Sequence, residues 1–88
     1  MFGQNLQNVG NVAVGASAAV TPAGLGAGTL QLVNTDASHA IYLAPGTATA
    51  TSFLLAPGAS VTWELVDVSV VQAFAAAGSP VLAWAVLR

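Results

Sequence analysis

The stretch Val70 to Leu87, VVQAFAAAGSPVLAWAVL, carries no charge. It is long enough to raise the question of a membrane span, which needs about 20 mostly apolar residues. Its centre argues otherwise. Gly78-Ser79-Pro80 sets a residue tolerant of left-handed backbone, a turn former and a residue without an amide hydrogen side by side. That combination ends a helix and starts a new extended segment. The stretch therefore predicts a hairpin of two paired strands, Val70 to Ala75 and Val81 to Leu87, as the spine of a sandwich or barrel.

Turn signals recur through the rest of the chain at roughly 10-residue intervals, the spacing of an all-β sandwich or barrel. Asn11 to Thr21 fits two short strands, and PAGLGAG, Pro22 to Gly28, is a loop by composition. Thr29 to Asn34 and Ala40 to Leu43 flank Thr35-Asp36-Ala37-Ser38, whose short polar side chains favour turns, so a second hairpin is expected there. In it Leu30 and Leu32 meet Ile41 and Leu43 across the ladder, and Tyr42 faces the opposite way. Pro45-Gly46 and Pro57-Gly58 each suit a type II turn. Between them the alternating threonines of Thr47 to Thr51 suit a half-exposed edge. SVTWEL, Ser60 to Leu65, is the cleanest period-two run, with Val61, Trp63 and Leu65 on one face. In the last strand Leu82, Trp84 and Val86 share a face, and both indoles are expected in the core. Nineteen alanines raise a helical alternative. They sit among Val, Thr and Gly without a sustained i, i+3, i+4 apolar stripe, and are better suited to letting sheets or subunits approach closely.

A domain of 88 residues buries only about 60–65% of the surface of its unfolded chain, so its stability needs a supplement. Cysteine is absent, which removes disulfides, and one histidine, His39, with the carboxylates Asp36, Glu64 and Asp67 makes a poor metal site. Oligomerisation or docking onto something larger is what remains. Charged residues are 5% of the chain, against about 25% in ordinary domains, and the apolar fraction is 56%. Arg88 is the single lysine or arginine. No basic patch can be assembled from it, so direct nucleic-acid binding is not expected. No cationic segment precedes an apolar run near Met1, and a signal peptide is not expected either.

Residues that could carry chemistry are few. Gly24 and Gly26 begin a dinucleotide-type fingerprint, but Thr29 stands where its third glycine belongs and a strand follows. Asp36, Ser38 and His39 are the residue types of a hydrolytic triad. Within four positions of one turn they are expected to form a polar tip rather than a working line of serine, histidine and carboxylate. Glu64 and Asp67 lack the cleft that paired acids need, and Ser17 lacks the closing glycine of a nucleophile elbow. The expectation is no enzyme, no cofactor, no metal and no small-molecule substrate. Residues 1–10, MFGQNLQNVG, read as an N-terminal arm preceding a single β-sandwich domain over residues 11–88.

LQLVNTDASHAIYLAPG (Leu30 to Gly46), FLLAPGASVTWEL (Phe53 to Leu65) and VVQAFAAAGSPVLAWAVLR (Val70 to Arg88) together resemble small β-sandwich proteins encoded among the structural genes of tailed bacteriophages. The matching features are Val33-Asn34-Thr35, Tyr42, Leu55-Ala56-Pro57-Gly58, Ser60-Val61 and the segment Ala73 to Gly78. They are turn and core signatures covering about the last three quarters of the chain, with few charges and a tryptophan-bearing last strand as departures. The resemblance implies an all-β, jelly-roll-like antiparallel sandwich of about seven to eight short strands. It also implies a virion protein made in the host cytoplasm that decorates the capsid surface as a cement, with no membrane partner, and that binds itself, as trimers, and the major capsid protein. On this expectation Phe2, Leu6 and Tyr42 make the contacts. Two alternatives come from other classes: a tail-fibre or receptor-binding module contacting a host glycan, and a small holin-type membrane protein spanning with Val70 to Leu87.

Overall fold

The structure, a computed structural model, describes residues 6–87. Eight strands follow in order: β1 (Leu6–Ala13), β2 (Ala18–Ala19), β3 (Gly28–Asn34), β4 (Ile41–Pro45), β5 (Phe53–Leu55), β6 (Ser60–Leu65), β7 (Val71–Phe74) and β8 (Val81–Leu87). A single helical turn, Val68–Val70, precedes β7. The strands form two four-stranded sheets, ordered β1-β8-β3-β6 and β2-β7-β4-β5, with every pairing antiparallel. β1 pairs with β8, β2 with β7, β3 with β6 and β4 with β5, as in a ribbon doubled at the β4–β5 turn and then rolled up. This is an all-β sandwich with the strand order of a jelly roll.

Strand identity follows from alternation. β4 alternates buried Ile41 and Leu43 with half-buried Tyr42 and Ala44. β3 buries Leu30 and Leu32 on either side of exposed Gln31. The side chains turned inward form one cluster that includes Leu30, Leu32, Ile41, Leu43, Leu82 and Val86. Each such fully buried side chain stabilises by about 1.5–3 kcal/mol. Val61, Trp63, Leu65 and Trp84 pack against this cluster but are only half-buried, so the two indoles line the core's margin instead of filling its centre. Val14, Val20, Leu55, Val68 and Val71 complete the interior, with the buried alanines Ala73 and Ala75.

Both expected hairpins are instead crossings between the sheets. β3 lies in the first sheet and β4 in the second, and β7 and β8 are divided the same way. Among the eight strands, β4 and β5 are the only consecutive pair in one sheet. Leu30 and Leu32 therefore meet Ile41 and Leu43 across the space between sheets. The physical reason is that inward alternation looks the same for two strands of one sheet and for two strands of facing sheets. Tertiary bonds at the crossings decide: Thr35 N–H and hydroxyl both donate to Val81 O, at 3.0 and 2.7 Å, which holds the chain at the β8 side as it leaves β3.

Two smaller expectations also change. The alternating threonines lie in a loop closed by Ser52 N–H to Thr49 O at 3.0 Å, and the edge strand is β5, after them. The arm reading over 1–10 ends early, because β1 begins at Leu6 and pairs along β8 from Leu6↔Leu87 to Ala13↔Val81. The Pro57-Gly58 turn forms as expected, with Ala59 N–H on Ala56 O at 2.9 Å and Gly58 at φ 76°. Gly58 N–H also donates to Asn34 O at 3.0 Å and Asn34 N–H to Ala59 O at 2.9 Å, a glycine bulge that starts the β3–β6 ladder.

Candidate functional site

At the polar tip between β3 and β4, Asp36 Oδ1 accepts from the N–H groups of Ser38 and His39, both at 2.8 Å. The same oxygen lies 3.2 Å from His39 Nδ1, and Ser38 Oγ lies 3.2 Å from that nitrogen too. A nucleophile and its orienting acid must use opposite ring nitrogens for a proton to pass between them. Here both address Nδ1. On the other side the ring covers Gly78, where a β-carbon would fall 2.8 Å from Nε2. The cluster is thus a turn lock joining the β3–β4 and β7–β8 crossings.

That lock titrates. The N–H groups of Ser38, then of His39, hold the Asp36 carboxyl at about 2, down from the ordinary 3.8. Asp67, which caps the helical turn, is also lowered, first by the Ser69 hydroxyl and then by the Ser69 N–H. A carboxylate with a depressed folded value stabilises the fold above its unfolded value and loses that contribution as pH falls through the folded one. Thermal stability is therefore expected to decline between pH 4 and pH 2. In Asp36→Asn the decline should be visibly smaller, as measured by melting temperature across that range.

The outer face of the second sheet has a different character. Tyr42 sits in register between Phe74 on β7 and Leu54 on β5, so the three side chains make a row across the sheet. The Tyr42 and Phe74 rings lie 6.2 Å apart, and Leu54 is 53% exposed. No residue of β2, β4, β5 or β7 is charged. Tyr42 thus faces outward as the alternation predicts, with two apolar neighbours that the sequence reading missed. Their signal was the position next to an inward neighbour: Phe74 follows the inward Ala73, and Leu54 precedes the inward Leu55. Phe2 lies outside the described residues, and of Leu6 only the strand pairing is described.

At one open side of the sandwich the edge strands β5 and β6 are bridged by Phe53 and Trp63, packed edge to face with centroids 5.2 Å apart. Beyond Phe53, at the start of β5, a cleft of about 300 Å³ opens among Pro45, Trp63, Glu64, Leu65 and Val71. Another shallow concavity, of about 470 Å³, runs over Gly28, Thr29, Glu64, Leu65, Val66 and Leu87. Each holds one carboxylate, that of Glu64, and no convergent set of polar side chains. Among the described residues no group of three or more His, Asp or Glu side chains is placed to hold a metal ion, and no helix is long and apolar enough to cross a membrane.

Comparison with protein-family models, with curated protein sequences and with solved structures finds no match to this chain.

Proposed function

We propose that this protein is a bacteriophage virion component, a decoration or cement protein that binds the outer surface of the head and stabilises contacts between major capsid subunits. The observation that carries the reading is the uncharged outer face of the second sheet with its row Phe74, Tyr42 and Leu54. Permanent interfaces are more apolar than transient ones, and desolvating such a face separates no ions from water. A protein that binds only the assembled shell stabilises it by mass action. The resemblance of the turn and core segments to small phage structural proteins is the second support for this reading.

Co-sedimentation with heads lacking the protein tests this. Wild type should pellet with heads and raise their resistance to heat. Tyr42→Asp should bind at least tenfold more weakly while still folding, as checked by circular dichroism at the binding temperature, since Tyr42 is half-buried on the outer face and outside the central cluster. Wild type that stays in the supernatant would sink the proposal, and binding to host polysaccharide instead would favour the receptor module. The arm's contribution is tested by deleting residues 1–5 only, because removing Leu6 to Gly10 takes away most of β1.

A further inference from the structure

The two edges of the first sheet are not equally finished. β1 carries a register irregularity between Leu6 and Asn8. Among the described residues β6 pairs with β3 alone, without a bulge, lysine or proline inside Ser60–Leu65, and such features are what usually protect an edge from pairing. The Asn34–Ala59 bond sets the phase of the ladder. With Leu32 opposite Val61 and Leu30 opposite Trp63, alternation turns the backbone groups of Val61, Trp63 and Leu65 toward β3 and those of Ser60, Thr62 and Glu64 toward the open side. The inner row is incomplete along the same edge. Val61, Trp63 and Leu65 are half-buried, Phe53 is 49% exposed, and the 300 Å³ cleft lies beside Trp63 and Leu65.

An occupant must therefore be an extended strand whose inward side chains are apolar at alternate positions. β6 itself answers that description. We propose that β6 of a second copy is the occupant, joining the two first sheets about a two-fold axis beside Trp63. Antiparallel partners share an inner face only when their residue numbers sum to an even value. With Trp63 opposite Trp63 of the second copy, Val61 opposes Leu65 and Thr62 opposes Glu64. The inner row then continues across the joint, and Val61 of the second copy comes beside the cleft. A slip of one position on each strand toward the C-terminus would oppose the two Glu64 carboxylates, and the opposite slip would leave Leu65 beyond the partner strand. Charge thus selects against one alternative and apolar coverage against the other.

Sedimentation equilibrium of the full chain, with circular dichroism as the check on folding, tests the pairing. Wild type should be a dimer. Thr62→Pro removes an N–H that faces away from β3, which an edge strand tolerates, and should raise the dissociation constant at least tenfold. Thr62→Glu, an exposed position, sets a carboxylate opposite Glu64 twice by symmetry and should weaken the dimer likewise, whereas Thr62→Lys should retain it. If the proline variant unfolds, the Glu and Lys pair decides. A wild-type monomer at all concentrations, a dimer or trimer indifferent to the substitutions, or equal loss in Glu and Lys variants overturns the inference. No capsid enters this experiment, so its failure is distinguishable from failure of the decoration reading.

Discussion

Asn34→Leu is expected to lower stability by about 3 kcal/mol, a fall of roughly 12–24 °C in melting temperature for a domain of this size. Asn34 is fully buried at the point where β3 leaves the first sheet. Its Nδ2 donates to His39 O at 2.8 Å and to Leu55 O at 3.1 Å, and its Oδ1 accepts from Asp36 N at 3.0 Å. Leu55 belongs to β5 in the other sheet, so one amide ties the sheets together at a corner. Leucine fills comparable space but leaves these groups without their partner, and an orphaned buried polar group costs about 1–3 kcal/mol. Asn34→Asp separates shape from hydrogen bonding. The carboxylate can still accept from Asp36 N–H, yet it faces two carbonyl oxygens to which it cannot donate. Burial should raise its pKa, so the penalty should be smallest below about pH 4, where the acid is neutral in both states, and should grow as pH rises. Thermal melts of both variants from pH 3 to pH 7 check this. A pH-independent loss in Asn34→Asp would reject the account.

The second large effect is expected at Gly10. It stands opposite Trp84 in the β1–β8 ladder, and a β-carbon there would lie 2.8 Å from both Cε2 and Cζ2 of the indole. Gly10→Val should therefore displace the ring and cost about 2–3 kcal/mol, in the range of overpacked sites. Trp84→Leu alone removes part of the ring's contact with the core and should cost about 2 kcal/mol. Combined, the two should cost less than their sum, because a smaller side chain at 84 makes room for the valine. Urea unfolding of the wild type, both single variants and the double variant measures the coupling. Strict additivity would mean that the indole does not occupy this place.

Much of the architecture was legible along the chain. SVTWEL reads as a strand because three apolar and three polar side chains alternate, and the structure makes it β6. Pro57-Gly58 reads as a turn because proline and glycine suit its two central conformations, and that turn forms. Tyr42 was legible as an outward residue, but its row was not, since Phe74 and Leu54 come from strands distant in sequence that only register brings beside it. Asn34 was visible only as part of a turn signature. Nothing local marks an asparagine whose amide bonds a carbonyl 21 positions away.

Residue order by itself determined that this chain forms short extended segments, where most of them lie and which side of each is apolar. Side-chain alternation and turn chemistry are local properties, readable within a few residues. Only the tertiary structure decided which sheet each strand joins, turning two expected hairpins into crossings and placing β6 at an edge of the first sheet. The reason is that apolar alternation specifies an inner face without specifying the neighbour across it, and that choice rests on ladder bonds and buried side chains contributed from far along the chain.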